Sequence, residues 1–187
     1  MFCKFSHTFR NSVCLLLTDK RKFKKIKLLS PTAGNVIPLR QVSDEVFSQG
    51  LLGKGLGIQL DTQKNSDTLS MREIVSPLAG RVTALFPHAF AITGENNLEV
   101  LVHIGIDTVE LQGKYFVNIA HKGDKVSAGD VITCIDEKSI TSAGYDATVI
   151  VSVLDNRLVS SVSVLSEYNQ FVQSRSPILC VKERLNA

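Results

Sequence analysis

The chain has 187 residues, 44% of them hydrophobic and 21% charged, which excludes intrinsic disorder and leaves room for one domain with a short appendage, not for a two-domain enzyme. The formal net charge of +3 conceals a split: residues 1–27 hold eight Lys or Arg and one acid, so the other 160 residues carry a net −4. A mildly acidic body excludes nucleic-acid binding, which needs a clustered basic face on the folded domain.

Residues 1–25 read as a basic tail and residues 26–187 as the domain. Within the tail, Phe2, Phe5, Phe9, Val13 and Leu16 recur at intervals of three and four, with Lys4, His7, Arg10 and Asn11 between them. That is the spacing of a basic amphipathic helix making a weak contact with an anionic membrane through residues 2–17. The competing reading is a leader with no part in the chemistry, ending in the charge run from Lys20 to Lys25. The apolar run 13–17 is shorter than the roughly 7–15 residues of a signal-peptide core and the ~18 of a spanning helix. A cytoplasmic location follows, at most peripheral to the inner membrane face. Cys3, Cys14, Cys134 and Cys180 form no C-x-x-C pair and are expected to be reduced.

From residue 26 the texture changes to short apolar runs rich in Val and Ile, separated by Gly, Asn, Asp and Ser. This predicts an all-β chain with many short strands. They fall over 26–29, 34–39, 56–60, 73–76, 81–85, 89–92, 98–104, 131–135, 148–154 and 178–181. One short helix is predicted over 136–142, capped by Asp136 and ended before Gly144. Ser30-Pro31-Thr32-Ala33-Gly34 and Ser76-Pro77-Leu78-Ala79-Gly80 repeat one turn pattern 46 residues apart. A third turn signal runs from Lys122 to Asp130. The repeat predicts a pseudo-duplicated antiparallel β-sandwich with one or two short helical turns.

Two of the four histidines are related by register. The turn residues Thr93 to Asn97 close a predicted hairpin. If its centre lies between Glu95 and Asn96, paired residues have numbers summing to 191, so His88 and His103 are direct cross-strand neighbours on one face. On the second strand Val100, Val102 and Ile104 form one apolar face, and Leu101 shares the side of His103, with Phe90 expected nearby. Apolar residues around a polar reactive pair suggest a docking surface. Three chemistries suit two adjacent imidazoles. Metal ligation wants further ligands, of which only Asp107 offers itself. Acid–base hydrolysis wants an activated nucleophile in a recognisable motif. Phosphoryl transfer needs one neutral imidazole in a fixed tautomer and a second to hydrogen-bond the phosphoryl oxygens.

The stretch Val102-His103-Ile104-Gly105-Ile106-Asp107-Thr108-Val109-Glu110-Leu111 resembles the active-site segment of the enzyme IIA domains of the glucose superfamily in the bacterial phosphoenolpyruvate-dependent sugar phosphotransferase system. The resemblance runs from about Ser30 to Asp155, and Leu111 to Phe116 and Ala143 to Asp146 look more like the β-glucoside, sucrose and trehalose branch. It implies a β-sandwich phosphotransferase, needing no cofactor, that accepts a phosphoryl group from the phosphocarrier HPr. It would pass the group to a cysteine of a sugar-specific IIB domain of a IIB/IIC permease. In that frame His103 is phosphorylated through Nε2, His88 hydrogen-bonds the phosphoryl group, the Gly105 carbonyl fixes the His103 tautomer and Asp107 borders the site. Val46, Phe47, Leu51, Leu52, Phe86, Phe90, Leu101 and Val109 are the implied docking residues of a monomer. This chain has two residues fewer before His88 than is usual in the family, a supporting Thr among them, and Ser174-Arg175-Ser176 replaces a Gly-containing turn.

Three other readings stand beside this one. The first is a zinc-binding, metallopeptidase-like β-sandwich on His88, His103 and Asp107, although no H-x-H ligand motif is present, and no metal is expected beyond adventitious zinc on the two histidines. The second is a biotinyl or lipoyl carrier module, which needs a Lys at the hairpin tip where Glu95 and Asn96 stand. The third is a regulatory relic of the IIA family that transfers no phosphate.

Overall fold

In the computed structural model, residues 23–60, 71–154 and 157–184 are described, and the S-P-x-A-G repeat is the pivot of their architecture. Ser30 and Ser76 are both fully buried. Each donates its hydroxyl to the carbonyl two residues on, Ser30 Oγ to Thr32 O and Ser76 Oγ to Leu78 O, both at 2.6 Å. The two turns also clasp each other: Leu29 N–H donates to Pro77 O and Val75 N–H to Pro31 O, both at 2.9 Å. A Cβ on Gly34 would stand 2.5 Å from Gln59 O, and one on Gly80 2.4 Å from Thr93 O. The glycine closing each motif is therefore set by a passing backbone.

In chain order the strands are β1 (Phe23–Leu29), β2 (Gly34–Pro38), β3 (Lys54–Gln59), β4 (Arg72–Val75), β5 (Gly80–Leu85), β6 (Ala89–Thr93), β7 (Glu99–Ile104), β8 (Phe116–Asn118), β9 (Lys125–Val126), β10 (Val131–Ile135), β11 (Val149–Val153), β12 (Val159–Val164), β13 (Phe171–Val172) and β14 (Pro177–Arg184). Two short helices, α1 (Glu45–Ser48) and α2 (Glu137–Ser142), lie between them. An eight-stranded sheet of order β13-β2-β3-β11-β7-β6-β5-β9 faces two three-stranded sheets, β1-β14-β12 and β4-β10-β8, across one apolar core. All the pairings are antiparallel.

The duplication extends further than the sequence motif. Gly129 N–H donates to Ser76 O at 2.8 Å and Arg175 N–H to Ser30 O at 2.9 Å. β9 pairs with β5 as Gly80↔Val126 and Arg81↔Lys125, while β13 pairs with β2 as Gly34↔Val172 and Asn35↔Phe171. Segment 168–176 is thus the structural copy of 122–130. In the first copy Gly123 and Gly129 occupy left-handed backbone, at φ 99° and 92°; in the second, Asn169 and Arg175 do so, at 64° and 68°. Without its glycines the second copy does not read as a repeat of the first, although Ser174-Arg175-Ser176 stood out as replacing a Gly-containing turn.

The ten predicted strands are present with small shifts at their ends, and α2 is capped as expected, Asp136 Oδ1 accepting from Ser139 N–H at 3.0 Å. β8, β9 and β13 have two or three residues each and β12 reads V-S-S-V-S-V, so none shows a run of apolar residues long enough to be recognised. The boundary at residue 25 is corrected, because Phe23, Lys24 and Lys25 already belong to β1 and pair with Arg184, Glu183 and Lys182. The proposed amphipathic segment 2–17 lies outside the described residues.

The segment between β2 and β3 folds over the outer face of the large sheet and makes a second, smaller core. Val42, Phe47, Ile106 and Ile150 are buried there, with Ile37, Leu39 and Leu101 packed against them. Its far end is pinned where Ser152 Oγ donates to Leu52 O at 2.6 Å.

Candidate active site

His103 sits on β7, whose burial alternates strictly, with Val100, Val102 and Ile104 fully buried and Leu101 and His103 partly buried on the outer face. The observed register of β6 and β7 differs by one from the expected one. Ala89 pairs with His103 and Thr93 with Glu99, because the connection is an odd, five-residue loop. Gly94 N–H donates to Leu98 O at 2.8 Å across it, and Asn96 and Asn97 both take left-handed conformations at φ 54° and 57°. Two such residues move the centre of the hairpin onto Asn96.

His88 therefore stands opposite Ile104, whose N–H donates to His88 O at 2.8 Å. Regular alternation would turn the His88 ring into the core. The chain escapes that outcome by leaving the strand here, in the tight Phe86-Pro87-His88 turn closed by Phe86 N–H to Ala89 O at 2.7 Å. The two imidazoles meet edge-on, with centroids 5.3 Å apart and planes at 69°. The tight turn brings the histidines together despite the shifted register. No hydrogen bond holds the His88 ring among the described residues; Phe86 stacks on it at 6.2 Å and 27°.

His103 Nδ1 lies 2.9 Å from Gly105 O. A carbonyl only accepts, so Nδ1 carries the proton and Nε2 keeps its lone pair. The Gly105 carbonyl is held in turn by its neighbours. Gly105 N–H donates to Thr148 O at 2.9 Å and Ile106 N–H to Asp146 O at 2.8 Å. Thr108 Oγ1 donates to Ile104 O at 2.5 Å. Asp146 Oδ1 accepts from both the backbone and the hydroxyl of Thr148, at 2.8 and 2.7 Å. Gly105 itself has φ 79°, and a Cβ there would stand 2.3 Å from Thr108 Cγ2 and 2.8 Å from Asp146 O.

Burial lowers the pKa of His103 most, and the adjoining His88 lowers it further; the Gly105 carbonyl, Asp44 and Asp107 act in the opposite direction. Burial also lowers that of His88. Both rings are thereby biased to the neutral form at neutral pH. A neutral ring with Nδ1 tied down and Nε2 free is a nucleophile of fixed direction. Among the described residues, no group of three or more His, Cys, Asp or Glu side chains could hold a metal ion.

The profile of the phosphoenolpyruvate-dependent sugar phosphotransferase system, EIIA 1, matches residues 26–158. The chain belongs to this family. It is 38% identical over 156 residues to the β-glucoside-specific EIIBCA component of Bacillus subtilis, covering 81% of this chain and 24% of that one. It is 35% identical over 158 residues to the glucose-specific EIIA component of Oceanobacillus iheyensis, covering 80% of this chain and 88% of that one. Among solved structures, glucose permease IIA from Mycoplasma capricolum superposes with a TM-score of 0.72 at 28% identity, covering 84% of this chain and 96% of the other. Against the β-glucoside-specific EIIBCA proteins the chain spans only about a fifth to a quarter of the relative's length.

In this EIIA domain of the phosphotransferase-system family the expected docking residues fall into two groups, exposed and buried. Leu51, Val109 and Phe86 are 70%, 58% and 57% exposed, and Val46 and Leu52 are also exposed. They lie on the three segments bordering the histidines. Phe90 is a correction. It pairs with Val102, is 1% exposed and belongs to the main core, because the true register puts it on the face opposite to Leu101. Phe47 is buried as well, at 4%, and packs beneath the surface with its ring 5.1 Å from that of His103. Asp107 is exposed at the start of the turn after β7, in left-handed backbone at φ 57°.

Two supporting residues escaped the sequence reading. Asp44 caps α1, accepting from Val46 and Phe47 N–H at 2.7 and 3.4 Å, and its charge acts on His103. The available signal was the run Asp44-Glu45 ahead of the apolar pair Val46-Phe47, an N-cap acid followed by a second acid in the first turn. Ser152 had none, since its role depends on a partner 100 residues away.

Proposed function

We propose that this EIIA domain relays a phosphoryl group through His103 Nε2, taking it from phospho-HPr and passing it to a cysteine of a sugar-specific IIB domain. The observation that carries the reading is the 2.9 Å contact between His103 Nδ1 and Gly105 O, which leaves Nε2 as the one nucleophilic nitrogen of that ring. In the forward step Nε2 attacks phosphorus in line, the new N–P bond forms, and the bond to the donor's histidine breaks. His88 then donates a ring N–H to a phosphoryl oxygen. In the onward step the IIB thiolate takes the group and His103 returns to its neutral state. No step draws on a metal.

Val46, Leu51, Leu52, Phe86 and Val109 form the docking rim for both partners, with Asp107 at its border. The domain acts as a monomer on the cytoplasmic side of the membrane, where a IIB/IIC permease receives the group, and the three-and-four spacing within residues 2–17 suits a weak surface contact there. Incubation with phosphoenolpyruvate, enzyme I and HPr should add one phosphoryl mass to the wild type and none to His103→Ala. His88→Gln should accept phosphate but pass it to IIB at least tenfold more slowly, within the range of a lost transition-state hydrogen bond. Wild-type protein that gains no phosphoryl group would overturn the proposal.

A further inference from the structure

On the far side of the core from the histidines lies a second charged surface. In the sheet β1-β14-β12 the register pairs Phe23 with Arg184, Lys25 with Lys182 and Lys27 with Cys180, and on the other edge Ser161 with Lys182 and Ser163 with Cys180. The alternate positions, Leu28, Leu179, Val181 and Glu183, are fully buried. Lys25, Lys27, Lys182 and Arg184 consequently share the outward face. β7 turns Val100, Val102 and Ile104 into the same core that receives Leu28 and Val181, so this face and His103 point away from each other.

The electrostatics of the face are unbalanced. Lys25 and Lys182 are direct cross-strand partners, an arrangement of like charges that costs stability. None of the three strands places an acid there. Their one acidic residue, Glu183, is inward and accepts from Asn96 Nδ2 at 3.2 Å. Lys182 Nζ rests 4.1 Å above the exposed ring of Phe23. Arg157, exposed, precedes β12 beside Arg184, whose N–H donates to Leu158 O at 2.8 Å. Without Arg157, Lys182 and Arg184, residues 28–187 hold ten bases against 17 acids. Elsewhere in the body acids outnumber bases, whereas this face carries an unbalanced positive charge, and in the sequence Lys20-Arg21-Lys22 immediately precedes β1.

A small anion would need donors converging on a pocket, whereas these cations are spread over the open face of a sheet, about 7 Å apart along each strand. A duplex would meet the charges but offer nothing to the Phe23 ring. A bilayer surface offers anionic headgroups and an apolar boundary beneath them. We propose that the outward face of β1, β14 and β12 binds anionic lipid headgroups at a membrane surface, leaving the His103 face turned to the water.

The test uses the full chain in co-sedimentation with vesicles of phosphatidylcholine alone and of phosphatidylcholine mixed with phosphatidylglycerol. Wild type should bind only the mixed vesicles and be released by salt. Lys25→Ser/Lys182→Ser, with residues 1–22 intact, should bind about tenfold more weakly, and so should a second pair, Lys27→Ser/Arg184→Ser. The first pair should melt no lower than wild type, since a repulsion is removed, and should accept phosphate from HPr normally. Unchanged partition of both folded double variants would overturn the proposal. Equal binding of wild type to neutral vesicles, or tighter binding to duplex DNA than to mixed vesicles, would do the same.

Discussion

Gly105 shows how much chemistry can rest on one residue without a side chain. Its carbonyl fixes the tautomer of His103, and its φ of 79° and the 2.3 Å approach of Thr108 Cγ2 leave no room for a Cβ. Gly105→Ala should cost about 1–3 kcal/mol in stability through strain. It should also slow phosphorylation by HPr more than the loss of folded protein explains, because the carbonyl can no longer hold Nδ1–H. Denaturant melts and initial rates on the same samples separate the two effects. His103 and Gly105 were legible in the sequence through the H-I-G-I-D motif. The pairing with His88 was legible only in outcome, since the true register sums to 192 and the short turn, not strand alternation, brings the rings together.

Among the elements, a four-residue helix governs the surroundings of His103. α1 is too short to be stable alone; the Asp44 cap, the buried Phe47 ring and the Ser152 contact with Leu52 hold it on the sheet. Asp44→Ala should cost about 1 kcal/mol through the lost cap. Because the Asp44 charge raises the His103 pKa, the same change should move that pKa down further, a shift readable in the ring-proton resonances as pH is varied. A His103 pKa that stays or rises would place Asp44 outside the site's electrostatics. Elements of this kind were the least legible. Phe47 was recognised as apolar but not as buried, and the second copy of the turn, 168–176, had exchanged its glycines for Asn169 and Arg175.

For the whole molecule, the strands and the sandwich could be read because apolar runs and turn residues are local, while topology depends on contacts distant in sequence, such as the clasp between the turns at residues 30 and 76. The fold also carries a pH signature. His88 and His103 both have pKa values below the ordinary 6.5 in the native state. As pH falls through 6.5 the unfolded chain takes up protons that the native state refuses, so stability declines until the native values are passed. Unfolding midpoints measured from pH 8 downward should fall across that window in wild type, and fall less in His88→Gln. A wild-type midpoint that rises on acidification there would contradict the assigned environments.

In the proposed relay the Gly105 carbonyl, by holding Nδ1–H, makes Nε2 of His103 the acceptor. Nitrogen-15 spectroscopy of the imidazoles, after phosphorylation by phosphoenolpyruvate, enzyme I and HPr, tests it most directly. A single phosphoryl group on Nε2 of His103 is expected, with Nδ1 still protonated. A group on Nδ1 of His103, or on either nitrogen of His88, would contradict it.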